Sequence, residues 1–93
     1  MAIRLVMNLS ALKGKGDDFA KVFNGNVPNV RKEPGCEEYS LFRSTADPDR
    51  FVLMERWSSQ AHLDAHGALM RSKPSPTASL RGTEPAKVER YEV

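Results

Sequence analysis

At 93 residues the chain has room for one small domain. A domain of that size buries only about two-thirds of the surface its unfolded chain exposes, so a partner that covers more of it is expected. Its 14 basic and 12 acidic residues leave a net charge of +2 without a run of like sign, which sets aside nucleic acid and acidic membranes as partners. No apolar run is long enough to cross a bilayer, and the alternating segment Met1 to Ser10 lacks the cleavage pattern of a secretory leader, so a cytoplasmic location is expected. The single cysteine, Cys36, cannot close an internal disulfide or build a structural zinc site, and reads as a small apolar core residue.

Ile3, Leu5, Met7 and Leu9 alternate with Arg4, Val6, Asn8 and Ser10, the period of a strand. Lys13-Gly14-Lys15-Gly16 is a loop, and Asp17 and Asp18 suit the positive end of a helix whose stripe is Phe19, Val22, Phe23, Val27 and Val30. Pro28, within Asn24-Gly25-Asn26-Val27-Pro28, lacks a backbone donor and predicts a kink or break in that helix. Glu33-Pro34-Gly35 ends it. A second strand runs from Cys36 to Ser44 with Tyr39, Leu41 and Arg43 on one face and Ser40 and Phe42 on the other.

Turn chemistry at Ala46-Asp47-Pro48-Asp49 joins it to a third strand, Phe51 to Trp57. Ser58-Ser59 offers the cap of a second helix reaching about Met70, with Leu63, His66 and Met70 on its inner stripe. Residues 73–85 are rich in Pro, Ser and Thr and predict a loop or one short turn, before a fourth strand from Lys87 to Val93.

The order β-α-β-β-α-β predicts a single α+β domain over residues 1–93, ferredoxin-like, with a four-stranded antiparallel sheet and both helices on one face. The third strand carries Phe51, Leu53 and Trp57 on one side and Val52 and Met54 on the other. Helices cover one side only, so a second copy of the chain is expected on the other, forming a homodimer.

The ordered set Glu33-Pro34-Gly35-Cys36, the Tyr39 strand, Glu55-Arg56-Trp57 and Leu63-Asp64-Ala65-His66 resembles the antibiotic biosynthesis monooxygenase family. The resemblance covers most of the chain up to His66. It implies a dimeric α/β barrel in which two sheets face each other, with a cavity between each sheet and its own helices. It also implies oxidation of a small aromatic, polyphenol or quinol-like ligand by O₂ without metal or flavin, so no cofactor is expected. The sequence departs from the family pattern at Asn24 to Asn29 and at Lys73-Pro74-Ser75-Pro76.

Such chemistry requires a base, hydrogen-bond donors for a developing oxyanion and an apolar cavity. His66, on an otherwise apolar helical stripe, is the candidate base. Its other reading is a core histidine bonded to Glu55, a carboxylate sharing a strand face with Leu53 and Trp57. Asn8 is a candidate donor to substrate oxygen, or an edge asparagine. Trp57, Tyr39 and Phe23 are candidate walls for an aromatic ring, each with plain packing as the alternative. His62 and His66 stand one helical turn apart, but no third ligand presents itself, so no metal site is expected.

Two other readings stay open. One is a non-catalytic dimer that binds a small apolar ligand or has lost its cavity. The other is haem degradation, which in a neighbouring branch uses an Asn on the first strand; Asn8 fits, but no histidine follows His66.

Overall fold

The computed structural model describes residues 1–93 throughout. Strand β1 (Ile3–Ser10), helix α1 (Gly16–Arg31), strands β2 (Cys36–Arg43) and β3 (Arg50–Trp57), helix α2 (Gln60–Arg71), a single 3-10 turn at Ala78–Leu80 and strand β4 (Lys87–Glu92) follow in that order. The strands form one antiparallel sheet ordered β2-β3-β1-β4, the ferredoxin-like arrangement that the element pattern predicts. No helix is long and apolar enough to cross a membrane.

Register decides which side chains meet. Leu5 lies opposite Glu55, Met7 opposite Leu53 and Leu9 opposite Phe51, so the odd-numbered residues of β1 and β3 share one face. Onto that face α1 packs against β2 and α2 against β3. Phe19, Val27 and Val30 of α1 close over Leu9, Tyr39, Phe51, Leu53 and Trp57 to make the core. In β2 the register slips between Cys36 and Glu38, and this bulge turns both Cys36 and Tyr39 toward the helices although they are three residues apart. Cys36 is only half-buried, less than its reading as a core residue predicts.

Of the kink or break expected at Pro28, no break occurs: helix α1 runs continuously through it. Proline removes the one bond its nitrogen would have made to the carbonyl of Asn24, but Val27 and Val30 on either side are buried and hold the backbone against the sheet. The start of α1 is fastened from a distance. Gly14 and Gly16 donate their backbone N–H groups to Asp49 Oδ2 and Oδ1 at 2.9 and 2.8 Å, placing a carboxylate from the β2–β3 turn at the positive end of the helix. The fit leaves no space at Gly16, where a Cβ would stand 2.0 Å from the Pro48 carbonyl oxygen.

The opposite face of the sheet carries no helix. Val6, Val52 and Met54 form a half-buried apolar centre there, with Phe42 (54% exposed) and Tyr91 (47% exposed) beside it. Ion pairs frame this centre: Arg4 with Glu38, and Arg56 with Glu37 at 2.9 Å. Sequence alternation predicts two apolar faces; the second proves to be a compact apolar patch inside a charged border.

Candidate active site

Three elements bring a histidine and two carboxylates together beneath the helices. β3 places Glu55 and Trp57 two residues apart, hence on the same face, where the Trp57 indole N–H donates to Glu55 Oε1 at 3.0 Å. α2 presents His66, whose ring stacks on that of Trp57 with centroids 4.6 Å apart. The turn between α1 and β2 supplies Glu33. A carboxylate oxygen only accepts, so at 2.9 Å the His66 Nδ1–H donates to Glu33 Oε1 and the lone pair of the neutral ring resides on Nε2. Nε2 lies 3.8 Å from Glu55 Oε1, too far for a direct hydrogen bond.

Glu33 is held where it can reach His66 by the turn itself. Its backbone N–H bonds the Val30 carbonyl at 2.9 Å, and the Gly35 carbonyl accepts from Ser58 N–H at 2.8 Å, tying the turn to the start of α2. Gly35 adopts φ +80°, a conformation that favours glycine, and packs directly against the His62 ring. His62 in turn sits with Nδ1 within 3.0 and 2.8 Å of the Ser58 and Ser59 hydroxyls at the N-terminus of α2.

Burial sets the electrostatics. Desolvation pushes the Glu55 carboxyl above the ordinary carboxylate range, and the nearby Glu33 adds to the rise, while the Trp57 hydrogen bond and His66 pull it back down. Tyr39 is likewise buried and faces Glu55 and Glu33, so its hydroxyl is held well above the usual phenol range and remains a hydrogen-bond donor. Its ring meets His66 edge-on at 5.7 Å and stacks parallel with Phe23 at 5.9 Å.

A cavity of about 590 Å³ opens in front of this group. Met7, Leu9 and Leu53 of the sheet form its floor, Phe23, Gly25 and Asn26 of α1 one wall, and Met70 with residues 73–77 and Arg81 the opposite side. His66, Glu55, Tyr39 and Phe23 all line it. The volume and apolar lining suit a small aromatic molecule.

Two of the sequence candidates lie elsewhere. Asn8 pairs with Val52 and Lys87 on the helix-free face and is exposed, because even-numbered residues of β1 point away from the helices; it cannot reach a ligand beside His66. This also removes the residue that suggested haem degradation from the cavity. Trp57 is fully buried behind His66 and does not line the cavity, so it supports the histidine rather than forming a wall. Glu33 is read from the sequence only as part of a helix stop and of the Glu33-Pro34-Gly35-Cys36 set; neither says that its side chain reaches His66. Lys73, Thr77 and Arg81 escape a sequence reading because the proline-rich segment has no period from which to infer a direction.

The family model for antibiotic biosynthesis monooxygenase matches residues 2–70, three-quarters of the chain and every element that builds the His66 site. The chain belongs to the antibiotic biosynthesis monooxygenase family. Among curated relatives, the "Probable quinol monooxygenase YgiN" of Escherichia coli K12 is 44% identical over 59 residues, covering 54% of this chain and 52% of that protein. The chain thus spans about half the length of this relative. A solved structure from Caulobacter crescentus CB15 superposes with TM-score 0.86 at 24% identity, covering 99% of this chain and 89% of the other. One from Shewanella oneidensis superposes with TM-score 0.79 at 26% identity over 97% and 88%. Both structures share this fold nearly end to end, the segment after residue 70 included.

Proposed function

We propose that this protein is a cofactor-independent monooxygenase that oxidises a small phenol or quinol with O₂, working as a homodimer. The observation that carries the reading is His66, fixed by Glu33 on Nδ1 and lining an apolar cavity with Nε2 unbonded. The name of the Escherichia coli relative supports the substrate class.

In this scheme a substrate hydroxyl enters the gap beside Nε2, which takes its proton; Glu33 stabilises the imidazolium through the Nδ1 bond. The electron-rich ring anion transfers electrons to O₂, and a C–O bond forms at a ring carbon bearing hydrogen. The resulting peroxide takes up the proton from His66. The ring C–H proton then leaves, the O–O bond breaks and hydroxide departs, which becomes water on protonation. The substrate supplies all four electrons: one oxygen atom ends as a new carbonyl and the other as water. The Tyr39 hydroxyl, kept protonated, is placed to donate to developing negative charge, and the apolar floor excludes competing water.

The apolar patch of Val6, Val52, Met54 and Phe42 supports the homodimer, since a second sheet would cover it. A second reading, a non-catalytic binder of a small apolar ligand, is favoured by one feature: the Glu33–His66–Trp57 contacts would equally serve to fasten α2 to the sheet. Oxygen uptake with a menadiol-type quinol decides between the two. Chelator-treated, flavin-free protein is expected to consume O₂ faster than buffer and to place one ¹⁸O atom from ¹⁸O₂ in the product. Tight binding of the quinol with uptake equal to the uncatalysed rate selects the second reading.

A further inference from the structure

The cavity has chemically opposite ends. At its inner end stand His66 and Glu55; at its outer end, on the segment following α2, stand Lys73 and Arg81. Glu55 is the only carboxylate that lines it. Arg4, Arg43, Arg50, Arg56 and Arg90 each have a carboxylate within ion-pair distance; Arg81, like Arg31 and Arg71, has none, and of these three it alone lines the cavity. Its backbone is held by hydrogen bonds. Arg81 bridges Ala11 just past β1, flanked by bonds from Leu12 N–H to the Leu80 carbonyl at 2.9 Å and from Gly82 N–H to the Ser10 carbonyl at 2.8 Å. Lys73 and Arg81 are exposed where the cavity meets solvent, and the Arg81 guanidinium, with no carboxylate partner of its own, is free to pair with an anion entering there.

The register locates it relative to the base. Glu55 lies beside Leu5 of β1 and Arg81 beside Ala11, so the two ends are separated by six residues of strand, roughly 20 Å between backbones at 3.3 Å per residue. Both ends nevertheless line one cavity of about 590 Å³.

Resting on the oxygenase reading of this cavity, we propose that its substrate is an aromatic acid: a phenol or quinol whose reacting ring lies at His66 while a carboxylate on a short side chain sits between Lys73 and Arg81. The two cations fix which ring position faces the base, acting as specificity residues.

The test compares three probes: a naphthoquinol with a short carboxyalkyl arm, its methyl ester, and the ester at raised ionic strength as a control for general medium effects. The wild type is expected to prefer acid over ester in kcat/KM by about tenfold, the scale of one hydrogen bond to a charged group. In the Lys73→Gln/Arg81→Gln double variant the ratio is expected to collapse toward unity. An absent preference in the wild type, or one that survives in the double variant, overturns the proposal. If no probe is turned over, the oxygenase reading fails by itself. Affinity for the corresponding oxidised naphthoquinones, measured by calorimetry, then decides the anion site: tighter binding of the acid than the ester, lost in the double variant, upholds it, and equal binding overturns it.

Discussion

His66 Nδ1 stands 2.9 Å from Glu33 Oε1, a contact that joins the middle of α2 to the turn entering β2 across 33 residues of chain. It orients the imidazole, selects its tautomer and leaves Nε2 for the cavity. Replacing His66 by Ala is therefore expected to lower quinol-dependent oxygen uptake by about 10² to 10⁴, the usual contribution of a positioned base. The same change removes the ring stacked on Trp57 and orphans Glu33, so a loss of about 2 kcal/mol in stability is expected by urea unfolding. Uptake that persists at the wild-type rate in folded protein refutes the base assignment.

Glu33 acts through His66 and touches no substrate. Its amide variant, Glu33→Gln, keeps an oxygen that can accept from Nδ1–H, whereas Glu33→Ala does not. Turnover is expected to drop about tenfold or more in the alanine variant and by less in the glutamine one, which keeps the Nδ1 acceptor but not the charge that stabilises the imidazolium. Equal losses in both variants would show that charge, and not tautomer or ring orientation, is what Glu33 supplies.

Glu55 carries a pH signature. Its folded-state carboxyl lies above the ordinary value of 4.5 because burial disfavours the ion. The folded state therefore holds this proton more tightly than the unfolded one, and the associated stability is present below about pH 4.5 and lost as pH rises through the raised value. Glu55→Gln retains an acceptor for the Trp57 N–H but cannot ionise. The melting temperature of this variant relative to wild type is expected to climb as pH rises above about 4.5; parallel curves would contradict the upward shift.

Asp49 caps α1 from another element. Asp49→Ala is expected to cost about 1 kcal/mol, in the range of lost N-terminal caps. Gly16→Ala is expected to cost more, about 1–3 kcal/mol, since its methyl meets the Pro48 carbonyl. Denaturant midpoints check both, and a neutral Gly16→Ala would mean that the turn has slack.

The helix-free face is expected to be a self-association surface. Met54→Asp buries a charge in its centre and is expected to convert a dimer to a monomer in sedimentation velocity. A monomeric wild type at micromolar concentration would remove the homodimer from the proposal.

Period alone determined the architecture. Ile3 to Leu9 alternate, Phe19 to Val30 stripe a helix and Phe51 to Trp57 alternate again, and local periodicity is a backbone property that survives without knowing any partner. It also marked His66 and Glu55 as polar residues on apolar faces, and placed Tyr39 and Phe23 on inward stripes. Tertiary structure alone decided the rest. Glu33, Asp49 and Arg81 act on residues 33, 33 and 70 positions away, by way of turns whose direction no period encodes. The choice between the two readings of Asn8, ligand donor or exposed asparagine, falls to the second because only the fold shows which strand face the helices cover. At Pro28 likewise, the loss of one hydrogen bond is local, while the burial of Val27 and Val30 that keeps the helix continuous belongs to the packed fold.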